Sequence, residues 1–167
     1  MTDFAIAWEL SRGRFVAALD GLTAEQLNFR LHPNSLTIGE MALHVAGVEV
    51  SFATQLLGQT PVGDLERLRM AATDGSVNDN PFPFSVEEIT PARVAESLLA
   101  SRALAEQVIL EPTPEILAKE IQSALGPIIT GSGALARLAF HPGYHQGQVY
   151  LIATSPGFPS GAPSQPH

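Results

Sequence analysis

Five histidines stand in the chain, at His32, His44, His141, His145 and His167, and there is no cysteine. Thiolate nucleophiles, disulfides and Cys-held zinc or iron–sulfur centres are thereby excluded, so any metal must rest on imidazole and carboxylate. His141 and His145 lie four apart in HPGYHQGQVYLI, residues 141–152. On an unbroken helix, positions i and i+4 share one face about 6 Å apart along the axis. Two imidazoles so placed can reach one cation at roughly 2.0–2.1 Å. Pro142 complicates the pair. It removes the helical bond to the Leu138 carbonyl and disfavours helical geometry at His141. Either the helix continues through a kink at Pro142, which keeps both imidazoles on one face, or it restarts there with His141 at its edge, which can swing His141 away.

A third histidine joins them from elsewhere. His44 follows Met41 by three residues and precedes Val48 by four, which puts it on an apolar stripe pointing inward. A buried imidazole needs partners for its nitrogens, so His44 alone reads as a core histidine bonded to a neighbour. His141 and His145, however, fall in register with Leu138, Val149 and Ile152. Three histidines from two helices can then converge inside one bundle, which is how bundles build metal centres. Three neutral imidazoles with an open fourth position also form a catalytic zinc site. Glu40, one turn before His44, is the candidate general base, although it also stands where a helix-cap partner belongs. Glu49 follows His44 by five residues. Gln148, three beyond His145, orients a ligand or fills a polar gap. His32, in RLHPNS, reads as a solvated loop residue, and His167 is given no role.

Four helical segments must position these groups. Phe4, Trp8, Phe15 and Leu19 predict a helix over about Asp3 to Leu19, stopped by Gly21. Thr37 with Glu40 three residues on reads as a capping box. It opens a helix to about Leu57 with Met41, Val45, Val48, Phe52 and Leu56 as its stripe and Gly58 at its end. Thr90 and Pro91 open a third, with Val94, Leu98, Ala105 and Ile109 on one face and EPTP (Glu111 to Pro114) as its stop. The fourth runs from about Gly131 to Ala153. GPIITG (Gly126 to Gly131) is the only β-like run. The stretch from Gln59 to Ile89 is too long for a tight turn and suits a crossover along a bundle, with a short helix around Asp64 to Ala72. The expected architecture is all-α: a four-helix bundle over residues 1–154 with one long crossover between its second and third helices. The Pro/Ser/Gly-rich residues 155–167 read as a mobile tail.

Composition narrows the function. The chain has 167 residues, 45% hydrophobic, and nine Lys and Arg against 17 Asp and Glu, for a net charge of −8. One ordinary domain with a real core is expected. The acidic balance speaks against a nucleic-acid surface. No apolar run is long enough to span a membrane, and MTDFAIAWELSRGRF does not read as a signal peptide. A cytoplasmic location is the expectation.

SLTIGEMALHVAGVE, followed about 100 residues later by HPGYHQGQV, resembles the DinB-like (DinB/YfiT-like) family. The matching positions are His44 after Ile38-Gly39-Glu40, then His141, His145, Gly147 and Gln148. The resemblance implies a four-helix bundle of up-down-down-up order and a divalent metal, zinc or nickel, held by the three histidines. It implies homodimers, and metal-dependent hydrolysis or group transfer, including transfer that uses a low-molecular-weight thiol. The alternative is a metal- or ligand-binding or dimerisation module without catalysis. Two positions depart from the pattern. Gln146 stands where the family often has a basic residue, which bears on contact with an anionic substrate. Pro142 is unusual within the motif, which bears on the metal geometry.

Overall fold

In the computed structural model, which describes residues 2–161, helices dominate. Four are long: α1 (Asp3–Leu19), α3 (Ile38–Leu57), α5 (Pro91–Ile109) and α7 (Gly131–Ala153). Three are short: α2 (Ala24–Leu27), α4 (Asp64–Met70) and α6 (Pro114–Ala118). Strands β1 (Glu120–Gln122) and β2 (Ile128–Thr130) pair antiparallel, with Ile121 opposite Ile129, in a hairpin just before α7. The β-like run expected near Gly126 is β2; its partner EIQ is too short to show alternation.

Threonine opens six of these helices. Thr2, Thr23, Thr37, Thr90, Thr113 and Thr130 sit in extended conformation, and each side chain accepts a hydrogen bond from the third helical N–H. Each thereby satisfies one of the amide donors a helix start leaves unpaired. The expected capping box at Thr37 and Glu40 is present, and Gly58 closes α3 in the left-handed conformation at φ 68°. A second capping box, Thr23 with Gln26, starts α2.

Helix α3 is the centre of the molecule. It packs against α5, α4, α7 and α2, while α1 packs on α7. The expected single apolar stripe on α3 is too narrow: nearly every residue from Ile38 to Leu56 is buried, Ala42, Ala46 and Ala53 included. Small residues let neighbours close in on all sides. At Gly47 an added Cβ would stand 2.4 Å from the Leu68 carbonyl oxygen and 2.8 Å from the Ala72 nitrogen. The absence of a side chain at Gly47 is what lets the end of α4 lie on α3.

Two groups of apolar side chains fill the interior. One gathers Phe15, Leu27, Ile38, Leu43 and Ile89; the other gathers Trp8, Phe52, Val108, Leu135 and Leu138. One buried ion pair is set among them. Arg12 Nε donates to Glu49 Oε1 at 2.9 Å, Trp8 Nε1 donates to the same oxygen at 3.0 Å, and Ser101 Oγ donates to Oε2 at 2.5 Å. Arg12 also donates to the Leu98 carbonyl. This carboxylate ties α1, α3 and α5 together.

The crossover from 59 to 89 is pinned at several points. Arg67 meets Glu88 through both terminal guanidinium nitrogens, at 2.7 and 2.6 Å, and lies over the Phe84 ring. Asp74 accepts from Asn78 and Asn80 at 2.8 and 3.2 Å. Past Ala153, Phe158 meets Phe29 edge-on with centroids 5.4 Å apart, and Gln26 Nε2 donates to the Pro159 carbonyl. Residues 162–167 of the expected tail, His167 among them, lie outside the described residues. Among the described residues no helix is long and apolar enough to cross a membrane.

Candidate metal centre

His44 rises from the middle of α3, and His141 and His145 from the middle of α7. Helix α7 runs without a break through Pro142, which is buried within it. Of the two readings open at Pro142, continuation of the helix rather than a restart is the one observed. One turn of α7 therefore separates His141 from His145, and both side chains face α3.

The three imidazoles meet through the same atom type. His44 Nε2 lies 3.2 Å from His141 Nε2, and His145 Nε2 lies 3.0 Å from His141 Nε2. Ligand atoms of all three lie within 4.8 Å of one another, and the group could hold a metal ion. The opposite ring nitrogens fix the tautomers of two of them. His44 Nδ1 donates to the Ala71 carbonyl at 2.9 Å, with Ser76 Oγ at 3.3 Å from the same nitrogen. His145 Nδ1 donates to Gln148 Oε1 at 2.6 Å. With Nδ1 protonated, the Nε2 lone pairs of His44 and His145 both point at His141. His141 Nδ1 makes no hydrogen bond among the described residues.

Burial keeps the cluster uncharged. Desolvation lowers His44 from its ordinary value, partly offset by the Ala71 carbonyl. Desolvation, with the nearby His145 and His44, pushes His141 down to about 2. Desolvation and then His44 take His145 down to about 4, against a raising contribution from Gln148. Neutral imidazole is the form that binds metal. Three lone pairs converging in a partly buried place repel one another. A proton on one nitrogen relieves one contact, whereas a cation between them serves all three. The donor set thus fits a divalent cation with an affinity for nitrogen.

The sequence-derived residues are not all at this point. Glu40 is spent elsewhere. Its Oε2 accepts from the Thr37 N–H at 2.7 Å and its Oε1 from Arg30 at 2.6 Å, so its cap role is the one the structure displays. Glu49 is held in the buried network below the site. Gln148, expected to orient a ligand or fill a gap, instead orients His145, and its Nε2 donates to the Tyr144 hydroxyl at 3.3 Å. His32 is exposed as expected, yet it lines a cavity of about 520 Å³ that all three histidines share. A second cavity, of about 370 Å³ and mainly apolar, opens on His44 and His141.

Several contributors escaped sequence reasoning. Ala71 acts through its backbone carbonyl, which no residue type announces. Ser76 arrives from the crossover. Arg137 and Ser123 line the smaller cavity; the one available signal was that Arg137 precedes His141 by four residues.

The model of the DinB superfamily matches residues 7–149. The chain belongs to the DinB superfamily. The matched span contains all three histidines and each of the four long helices, wholly or in large part. The comparison with curated proteins finds no match. The superfamily's name refers to DNA damage, but this chain carries 17 acidic against nine basic residues, a poor balance for phosphate contact.

Proposed function

We propose that this DinB-superfamily protein binds one divalent metal ion, zinc or nickel, through His44, His141 and His145, and uses it in hydrolysis or group transfer on a small molecule. Transfer involving a low-molecular-weight thiol is included. The observation that carries the reading is the meeting of three Nε2 atoms from α3 and α7, two of them with their Nδ1 protons already committed to the Ala71 carbonyl and Gln148. Ligating histidines characteristically donate their other N–H in this way.

When bound, the cation would polarise a substrate oxygen or generate a nucleophile near neutral pH. The chain's own residues do the rest. Ala71 and Gln148 hold His44 and His145 in the ligating tautomer. The open side of the histidines is left to the two cavities, where a substrate can approach. Val77 and Leu125 line both cavities. Glu40 is not assigned the base, because both its oxygens are engaged.

The same reading takes the four long helices as an up-down-down-up bundle, consistent with the long crossover between α3 and α5. It takes the protein as a cytoplasmic homodimer. Ile6 and Leu10 on α1, and Phe140, Tyr144 and Leu151 on the adjoining α7, are half or more exposed. They form two apolar stripes on a packed helix pair, a face suited to a second copy.

The test has two stages. Metal-free full-length protein is titrated calorimetrically with zinc and with nickel, and saturable binding at about one ion per chain is expected. The loaded protein is then assayed for turnover with small thiols and ester substrates. Absence of saturable binding overturns the reading. Binding without turnover would favour the non-catalytic binding module instead.

A further inference from the structure

The smaller cavity contains a charge the metal centre does not need. Arg137, on α7 one turn before His141, is half-buried and lines this cavity together with His44 and His141. Among the described residues it forms no ion pair, and neither does Arg14, which is exposed. Every other arginine meets a carboxylate: Arg12, Arg30, Arg67, Arg69, Arg93 and Arg102. In a chain with nearly twice as many acidic as basic residues, carboxylate partners are in excess. A half-buried guanidinium left without one is therefore informative.

The side chain is also held in place. Arg137 Nη1 donates to Ser123 Oγ at 2.5 Å. Ser123 is buried at the turn of the β1–β2 hairpin, where its N–H donates to the Pro127 carbonyl at 3.0 Å. The hairpin adds Ala124 and Leu125 to the cavity wall. One bond to a hydroxyl leaves most of the five guanidinium donors free. Around them the cavity is apolar, with Val48, Phe52, Val77 and Phe140 among its walls. A charge-assisted, two-pronged contact to a carboxylate is strongest where water is scarce.

We infer that this cavity is the substrate subsite and that Arg137 anchors the carboxylate of a small, otherwise apolar molecule whose far end reaches the histidine centre. The inference rests on the proposed metal-dependent reading for what happens at that far end.

The probe is 4-phenylbutyrate, compared with its neutral amide, by calorimetric titration of the full-length zinc-loaded protein, with metal content measured in the same samples. The wild type should bind the acid at least about 10-fold more tightly than the amide. Arg137→Gln should weaken the acid by about 10- to 100-fold, the range a charge-assisted contact spans. It should weaken the amide far less than the acid and leave metal content unchanged. Arg137→Lys should keep part of the preference, since it retains charge but not the fork. Equal binding of acid and amide, no binding of the acid, or a preference undiminished in Arg137→Gln would each overturn the inference. The last would put the carboxylate on the metal. Failure of the metal reading shows up separately, as wild-type protein without metal; an Arg137-dependent acid preference in metal-free protein would still uphold the subsite.

Discussion

His141 sits where protonation is least welcome, and the pH behaviour of the metal-free protein follows from that. The folded cluster refuses protons: His141 is pushed down to about 2 and His145 to about 4, from an ordinary 6.5. The unfolded chain takes them up at the ordinary value. Below about pH 6.5 the unfolded state therefore binds more protons, and stability falls as pH falls. At pH 5 the loss is on the order of 2 kcal/mol for each such histidine relative to neutral pH. Urea unfolding of metal-free protein at pH 7 and pH 5 measures it. His141→Asn should shrink the pH dependence; an equal drop in wild type and variant would contradict the account. Metal binding should extend the same logic, with bound metal lost on acidification because protons compete for Nε2.

At the scale of elements, the site depends on two contacts that are not themselves metal chemistry. Gly47 lets α4 lie on α3, which puts the Ala71 carbonyl on His44 Nδ1. Gly47→Ala must move α4 away. It should cost about 1–3 kcal/mol in thermal unfolding by overpacking and weaken metal affinity about 10- to 100-fold by freeing the His44 ring. Wild-type affinity in that variant would show the Ala71 contact to be idle. Pro142→Ala is the contrasting case. The helix already runs through residue 142, so restoring an amide there should change metal affinity by less than about 10-fold and leave the metal bound.

Much of this architecture was legible in the sequence. The long helices announced themselves through apolar periodicity, and Thr37 and Thr90 marked two starts. The convergence of His44 with His141 and His145 followed from their register with Val48, Leu138 and Val149. Helices α2 and α6 were not legible, because four or five residues carry no period, even with Thr23 and Gln26 in plain view. Arg12, a charge four residues after Trp8 and three before Phe15, reads in the sequence as an interruption of the stripe. It is part of the stripe, since Glu49 waits for it across the core. The Ala71 carbonyl and the wall built by the hairpin depend on tertiary approach, which local pattern does not encode.

The whole molecule is held by that same buried carboxylate and, we propose, completed by a second copy. Glu49→Ala would leave Arg12 charged and unpaired in the core. Such a loss is expected to cost about 3–5 kcal/mol, read as a lowered midpoint in denaturant, while folded protein at low temperature keeps its metal. A change below about 1 kcal/mol would contradict the role given to the network. The proposed dimer is checked by sedimentation: wild type should run at twice the chain mass, and Leu10→Glu with Leu151→Glu should run as a metal-bearing monomer. A monomeric wild type would remove the α1–α7 face from the account.

The central claim, that three histidines act as one ligand set, is tested most directly by elemental analysis of full-length protein purified without a histidine tag. Wild type and His32→Ala should carry about one divalent ion per chain. His44→Ala, His141→Ala and His145→Ala should each lose most of it, and pairs of these substitutions should lose little more than either alone, because the site fails as a unit. Metal retained in full by any one of the three variants, or no metal in the wild type after incubation with zinc or nickel, would contradict the claim.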